Sequence, residues 1–156
     1  MAEFTLLFGA DRGDRQAAFA AARARLEQRV GAIVATSREH WTEPWGFQDD
    51  QPFLNRAVLV ESNLEPVRVM AELLTIEKEL GRERPAAARY APRTIDLDIL
   101  FIGERVIDGP ELTVPHPRVH ERAFALAPAA DLVPALVHPL LGRTVLDLLN
   151  QALHAA

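Results

Sequence analysis

The chain has 156 residues, 49% of them hydrophobic and 25% charged, which suits one domain spanning residues 1–156 with a proper core. A net charge of −5 argues against broad binding to nucleic acid or anionic membranes, and the lack of cysteine excludes disulfides and thiolate metal sites. No stretch approaches the roughly 20 apolar residues of a membrane span, and the start Met1-Ala2-Glu3-Phe4-Thr5 lacks the features of a signal peptide, so the expected compartment is the cytoplasm.

In chain order, residues 3–8 read as a short buried strand ending at Gly9. A helix follows from about Asp14, with Phe19, Ala22, Leu26 and Val30 at helical spacing and Gly31 as its stop. Residues 32–41 fit a second strand, 42–53 a loop, and 55–61 a third strand. Asn63 and Pro66 mark a second helix that runs to Gly81. An arginine-rich loop leads into an alternating strand beginning near Ile95. A Pro- and His-rich segment and a last helix near 143–153 complete the chain. The order β-α-β-β-α-β is the ferredoxin-like plan, an α+β fold with a C-terminal extension. There is no internal repeat and no interdomain linker.

The most informative stretch is Pro92-Arg93-Thr94-Ile95-Asp96-Leu97-Asp98-Ile99-Leu100-Phe101. Its period of two puts Ile95, Leu97 and Ile99 on one face and Asp96 and Asp98 on the other, with the two Cβ atoms about 7 Å apart. Neighbouring carboxylates repel, and a bound divalent cation removes that penalty; Mg²⁺ usually takes one or two carboxylates plus substrate phosphates. A solvated outer strand face is the other reading. Just upstream, residues 81–93 hold Arg82, Arg84, Arg89 and Arg93 with little apolar periodicity. Arginine suits bidentate capture of phosphate oxygens, although Lys78 is the only lysine of the chain and arginine usage is high throughout. A cationic loop beside a two-carboxylate strand can clamp a polyphosphate.

Three further features bear on a site. Glu77 falls inside the apolar arc of its helix, which also holds Met70, Leu73 and Leu80, and a carboxylate there needs a partner. Either an arginine pairs with it or that part of the helix lines a ligand pocket. The segment from Trp41 to Asn55 carries two Trp and two Phe, which either pack on the core or stack on a flat ligand. Asn55 offers both a donor and an acceptor to a heterocycle edge, or to a turn. Finally, Pro115 and Pro117 hold His116 stiffly, and Pro117 breaks any helical face that His116 and His120 could share as a zinc pair.

Together these segments resemble the 6-hydroxymethyl-7,8-dihydropterin pyrophosphokinase family of the folate pathway. The motifs that carry the resemblance are Thr42-Glu43-Pro44-Trp45-Gly46 with Gln51-Pro52-Phe53-Leu54-Asn55, Gly81-Arg82 with Pro92-Arg93-Thr94-Ile95-Asp96-Leu97-Asp98, and Leu112-Thr113-Val114-Pro115-His116-Pro117-Arg118-Val119-His120-Glu121-Arg122-Ala123-Phe124. The resemblance implies an enzyme that moves the β,γ-diphosphate of MgATP onto the pterin hydroxymethyl oxygen and releases AMP. It implies that Asp96 and Asp98 hold two Mg²⁺ ions and that Arg82 and Arg93 stabilise the transferred group. Glu77, Arg84, Arg89, His116 and Arg122 would serve ATP. Phe53 and Phe124 would sandwich the pterin, with Asn55 and the backbone of Thr42, Pro44 and Trp45 at its edge. A monomer is expected. The chain departs from the family pattern at Gly9-Ala10-Asp11-Arg12-Gly13-Asp14-Arg15, where members usually carry Gly-Ser-Asn-Leu-Gly-Asp-Arg, and at Tyr90, where many carry Trp. The first departure motivates an alternative, a catalytically impaired paralogue that binds pterin or nucleotide. A ferredoxin-like RNA-binding or sensor domain is a third reading, which the net charge disfavours for RNA.

Overall fold

The computed structural model describes residues 1–42, 52–82 and 95–155, with the side chain of Arg82 outside that set. Strand β1 (Ala2–Ala10) is followed by α1 (Arg15–Arg29), β2 (Ala32–Thr36), β3 (His40–Thr42), β4 (Phe53–Ser62) and α2 (Pro66–Arg82). Next come β5 (Ile95–Ile102), the short pair β6 (Ile107–Asp108) and β7 (Thr113–Val114), a 3₁₀ turn at Val119–Glu121, α3 (Ala123–Leu132) and α4 (Val145–His154).

The main sheet runs β2-β4-β1-β5, all pairs antiparallel, with β3 also on β4. That order is the ferredoxin-like arrangement expected from the sequence. Both faces of the sheet are covered, which explains why β1 is buried continuously from Phe4 to Ala10 instead of alternating. On one face Phe4, Leu6, Phe8 and Leu97 join Phe19, Ala22 and Leu26 of α1 and Val69, Leu73 and Ile76 of α2. On the other face Leu7, Leu100 and Phe101 pack with Ala125, Leu126 and Ala129 of α3 and with Val145 and Leu148 of α4.

Local chemistry sets the helix ends. Asp14 caps α1 by accepting the Ala17 N–H at 3.0 Å, and Thr144 caps α4 through the Asp147 N–H at 3.1 Å. Gly31 follows α1 because a Cβ there would lie 2.0 Å from the Glu61 carbonyl oxygen. Arg25 and Arg29 of α1 both reach Glu79 of α2, tying the two helices of one layer together.

Two sequence expectations are corrected. The strand expected over 32–41 divides into β2 and β3 at Ser37: its N–H still donates to the Ala57 carbonyl of β4 at 2.9 Å, but the Ala57 N–H donates to Ser37 Oγ at 2.9 Å in place of the Ser37 carbonyl, which accepts the Arg56 guanidinium at 2.6 Å. The segment read only as Pro- and His-rich contains α3, a ten-residue helix with Pro128 inside it. Pro128 has no N–H to give the carbonyl of Phe124 four residues back, so local pattern argues against a helix that tertiary packing forms.

Candidate active site

The period-two reading of β5 holds. Ile95, Leu97 and Ile99 are buried against α1 and α2, while Asp96 and Asp98 are half-buried on the opposite face. In the ladder, Asp98 stands opposite Leu7 and Asp96 opposite Gly9, and Gly9 stands opposite Asn55 on its other side. Asp96, Gly9 and Asn55 therefore form one row across three strands on a single face. Below this row α3 and α4 cover Leu7, Leu100 and Phe101. The carboxylates thus lie where the covered part of the face ends. Among the described residues no group of three or more His, Asp or Glu could by itself hold a metal. The donor set is two half-buried carboxylates, hard oxygen ligands that suit Mg²⁺ when phosphates and water supply the remaining positions.

The free edge of β5 is held by two residues singled out in the sequence. Glu77 is only 8% exposed, and its Oε2 accepts the N–H of Leu97, the residue between the two aspartates, at 2.6 Å. This helps account for a carboxylate in an apolar helical arc: a strand backbone amide is one of its partners. One residue beyond Ile99 the β1–β5 register shifts, leaving Leu100 as a bulge. The Leu100 carbonyl accepts the His116 N–H at 3.0 Å. The His116 ring is fixed in turn, since its Nδ1 accepts the Arg118 N–H at 3.2 Å, which places the proton of the neutral imidazole on Nε2. Burial pushes His116 below the usual histidine range, Asp98 opposes this, and the charges of Arg122 and Arg118 reinforce it. The third motif accordingly lies against the Asp-x-Asp strand. Arg122 sits 5.7 Å over the ring of Phe124, which opens α3 and is 41% exposed.

The other wall is built on β4. Asn55 is 2% exposed, Phe53 is half-buried, and Thr42 of β3 stands opposite Phe53. Trp41, the first aromatic of the 41–55 segment, does not pack on the core. It is 43% exposed, lies 5.5 Å from the Arg15 guanidinium and donates to Glu39 at 3.3 Å.

Gly9 is the position that sequence reasoning missed. A Cβ there would come within 3.2 Å of Asn55 Oδ1 and 3.4 Å of the Phe53 ring. The sequence reading ends the first strand at Gly9, whereas β1 continues to Ala10, and a glycine inside a strand marks a close approach. In the departing segment, Asp11 is 6% exposed with Arg12 4.0 Å away, so the added acid is accompanied by a cation of its own.

Structure thus brings Asp96, Asp98, Glu77 and His116 together along β5. It places Thr42, Phe53 and Asn55 together on β3–β4 and Arg122 with Phe124 at the start of α3. Pro44, Trp45, Arg84, Arg89 and Arg93 lie outside the described residues, as does the side chain of Arg82, whose backbone ends the helix carrying Glu77.

Comparison with known proteins gives a consistent result. Residues 5–134 match the family model for 7,8-dihydro-6-hydroxymethylpterin-pyrophosphokinase. The chain is 40% identical over 141 residues to the 2-amino-4-hydroxy-6-hydroxymethyldihydropteridine pyrophosphokinase of Porphyromonas gingivalis, covering 89% of this chain and 95% of that one. It is 40% identical over 128 residues to the Bacillus subtilis protein of the same name, covering 81% and 75%. Among solved structures, the wild-type HPPK-DHPS of Plasmodium falciparum bound to pteroate superposes with a TM-score of 0.75 over 96% of this chain and 42% of that chain. A second HPPK-DHPS, in complex with substrates, also gives 0.75, over 99% and 44%. This chain therefore spans less than half of those solved chains, and at 16% and 13% identity they speak to the fold alone. With the family model matched across most of its length and relatives this close, the chain belongs to the 7,8-dihydro-6-hydroxymethylpterin-pyrophosphokinase family.

Proposed function

We propose that this protein transfers the β,γ-diphosphate of ATP to the hydroxymethyl oxygen of 6-hydroxymethyl-7,8-dihydropterin, in folate biosynthesis. The hydroxyl oxygen bonds to the β-phosphorus, the bond from that phosphorus to the α,β-bridging oxygen breaks, and the hydroxyl proton is lost. AMP leaves with the bridging oxygen. The observation that carries this reading is the row of Asp96, Gly9 and Asn55, with Asp98 on the same face, in a chain of this family.

Asp96 and Asp98 would hold Mg²⁺, two ions in this proposal. When bound, the cations neutralise phosphate charge and lower the cost of bringing the hydroxyl to phosphorus. Arg82 and Arg93 would stabilise charge on the transferred group, with Arg84 and Arg89 in support. His116 and Arg122 would contact the ATP phosphates, and a neutral His116 with its proton on Nε2 can donate to a phosphate oxygen. Glu77 would stand at the nucleotide pocket while bonding Leu97. Phe53 and Phe124 would sandwich the pterin. Asn55 would read its edge with its donor and acceptor, helped by the backbone of Thr42, Pro44 and Trp45. Exclusion of water from the closed site would favour the pterin hydroxyl over hydrolysis.

We further propose a single pyrophosphokinase domain over residues 1–156, acting as a monomer in the cytoplasm without nucleic-acid or membrane partners. The net charge of −5 supports the lack of nucleic-acid and anionic-membrane partners, and among the described residues no helix is long and apolar enough to cross a membrane. The test is chromatography of the nucleotide product from ATP, hydroxymethyldihydropterin and Mg²⁺. AMP is the expected product, and ADP would refute diphosphoryl transfer.

A further inference from the structure

Asp131 lies in the last turn of α3, where the helix carbonyls already carry partial negative charge and an acid is the wrong sign. Its carboxylate nevertheless has four short contacts, all to the residues that lead into or begin β3. Oδ1 accepts Arg38 Nη2 at 3.0 Å. Oδ2 accepts Arg38 Nε at 3.2 Å and the Arg38 backbone N–H at 3.1 Å, and stands 2.8 Å from His40 Nε2. The guanidinium thus grips both oxygens in the forked geometry that fixes direction as well as distance. Burial pushes the carboxyl up, yet the bonds from Arg38 and His40 outweigh it and hold Asp131 down at about 2.

What these contacts join is more telling than their number. His40 stands opposite Asn55, and two residues on, Thr42 stands opposite Phe53. At the other end of α3, seven residues before Asp131, is Phe124, about 10 Å away along the helix axis. One end of α3 is therefore anchored to the ribbon that carries Asn55 and Phe53, and the other end presents Phe124. The buried side of α3 is poorly keyed: besides Leu126 it offers Ala125, Pro128 and Ala129. Small side chains interlock little with the sheet, so they resist sliding and swivelling less than larger ones would.

We propose that Asp131, through Arg38 and His40, is a positioning residue that sets the gap between Phe124 and the Phe53–Asn55 wall, and so the fit of the flat heterocycle between them. This inference rests on the pterin reading given above. The Arg38 side chain is 79% exposed against 17% for Asp131, so loss of the guanidinium alone costs little global stability and its effect falls on the geometry of the slot.

The test compares wild type with Asp131→Ala, Arg38→Ala and the double variant. Calorimetry measures hydroxymethyldihydropterin and an unhydrolysable MgATP analogue separately, and melting temperature is recorded in parallel. Asp131→Ala is expected to weaken pterin binding by about tenfold, because slot geometry is lost, while nucleotide affinity stays within about twofold. Arg38→Ala, which removes only an exposed side chain, is expected to do the same to a smaller degree, and the double variant to be no worse than Asp131→Ala. Unchanged pterin affinity in both single variants overturns the positioning role while leaving the site reading intact. Equal loss for pterin and nucleotide also overturns it, since that is what general loosening of the fold would give. If Asp131→Ala does not fold, Arg38→Ala decides alone. A wild-type protein that binds nucleotide but no pterin overturns the site reading itself, and the inference with it.

Discussion

The Glu77–Leu97 hydrogen bond offers a sharp test of how the site is held. Replacing Glu77 with alanine takes a 2.6 Å acceptor away from the amide between Asp96 and Asp98, in surroundings where Glu77 itself is 8% exposed. A buried N–H that loses its acceptor costs roughly 1–3 kcal/mol. Taking about 2 kcal/mol, a protein of this size loses roughly 4–8 °C in melting temperature. Glutamine keeps an acceptor oxygen at the same reach but gives up the charge. A neutral hydrogen bond is weaker than a charged one by about 1 kcal/mol, so Glu77→Gln should fall about midway between wild type and alanine. The activity effect should be larger than the stability effect. Leu97 is the hinge between the two carboxylates, and a shift of about 1 Å at reacting groups can cost about 100-fold. Thermal denaturation followed by circular dichroism, with kcat measured well below the melting temperature, checks both numbers. If Glu77→Ala melts within a degree of wild type and keeps its kcat, the bond does not hold the strand. If glutamine and alanine behave alike, the acceptor geometry is not what matters.

Three other outcomes follow from the same geometry. Asp98→Asn should abolish turnover while leaving pterin affinity within several-fold, and a near-normal rate would exclude Asp98 as a metal ligand. Gly9→Ala should weaken pterin binding by about tenfold with nucleotide binding nearly unchanged, because the new methyl crowds Asn55 Oδ1 at 3.2 Å and Phe53 at 3.4 Å; equal affinities by titration would show that Asn55 and Phe53 give way freely. The third concerns pH. His138 is 4% exposed, accepts the N–H groups of Leu140 and Leu141 at 3.2 Å, and is pushed below the ordinary histidine value of 6.5 by burial first and the charge of His120 second. Its folded form binds fewer protons than its unfolded form, so its contribution is complete above pH 6.5 and is lost progressively as pH falls below that value. Melting temperature should drop between pH 7 and pH 5, with a shallower drop in His138→Gln; the remainder includes His116, which is shifted in the same direction. A melting temperature that climbs as pH falls, or an identical slope in the variant, would contradict this.

The parts of the fold legible in the sequence are those whose pattern is local. β5 alternates because one face meets α1 and α2 and the other carries carboxylates. Helix α1 begins at a capping aspartate and ends before a glycine, and α2 begins at a proline, so their bounds could be read directly. What escaped the sequence depends on distant partners. The break between β2 and β3 comes where the Ser37 hydroxyl takes the Ala57 N–H and the Arg56 guanidinium takes the Ser37 carbonyl, partners about twenty residues away. Helix α3 is hidden by Pro128 and by alanines that give no apolar period, and it forms because the sheet face at Leu7, Leu100 and Phe101 needs a cover. The site divides in the same way. Periodicity showed that Glu77 was out of place, but could not show that its partner would be an amide on a strand twenty residues later. The Asp131 contacts with Arg38 and His40 join residues 93 and 91 positions apart, and no spacing rule connects them. Phe124 was legible as a motif residue, whereas the helix that presents it was not.

The central claim is that the face carrying Asp96 and Asp98 transfers a diphosphate intact. Phosphorus NMR of a single reaction mixture, run with wild type and with Asp98→Asn, tests it most directly. We expect AMP and a pterin-linked diphosphate to accumulate in equal amounts only with wild type and only with Mg²⁺. A pterin monophosphate, free pyrophosphate without pterin ester, or the same products from Asp98→Asn would contradict it.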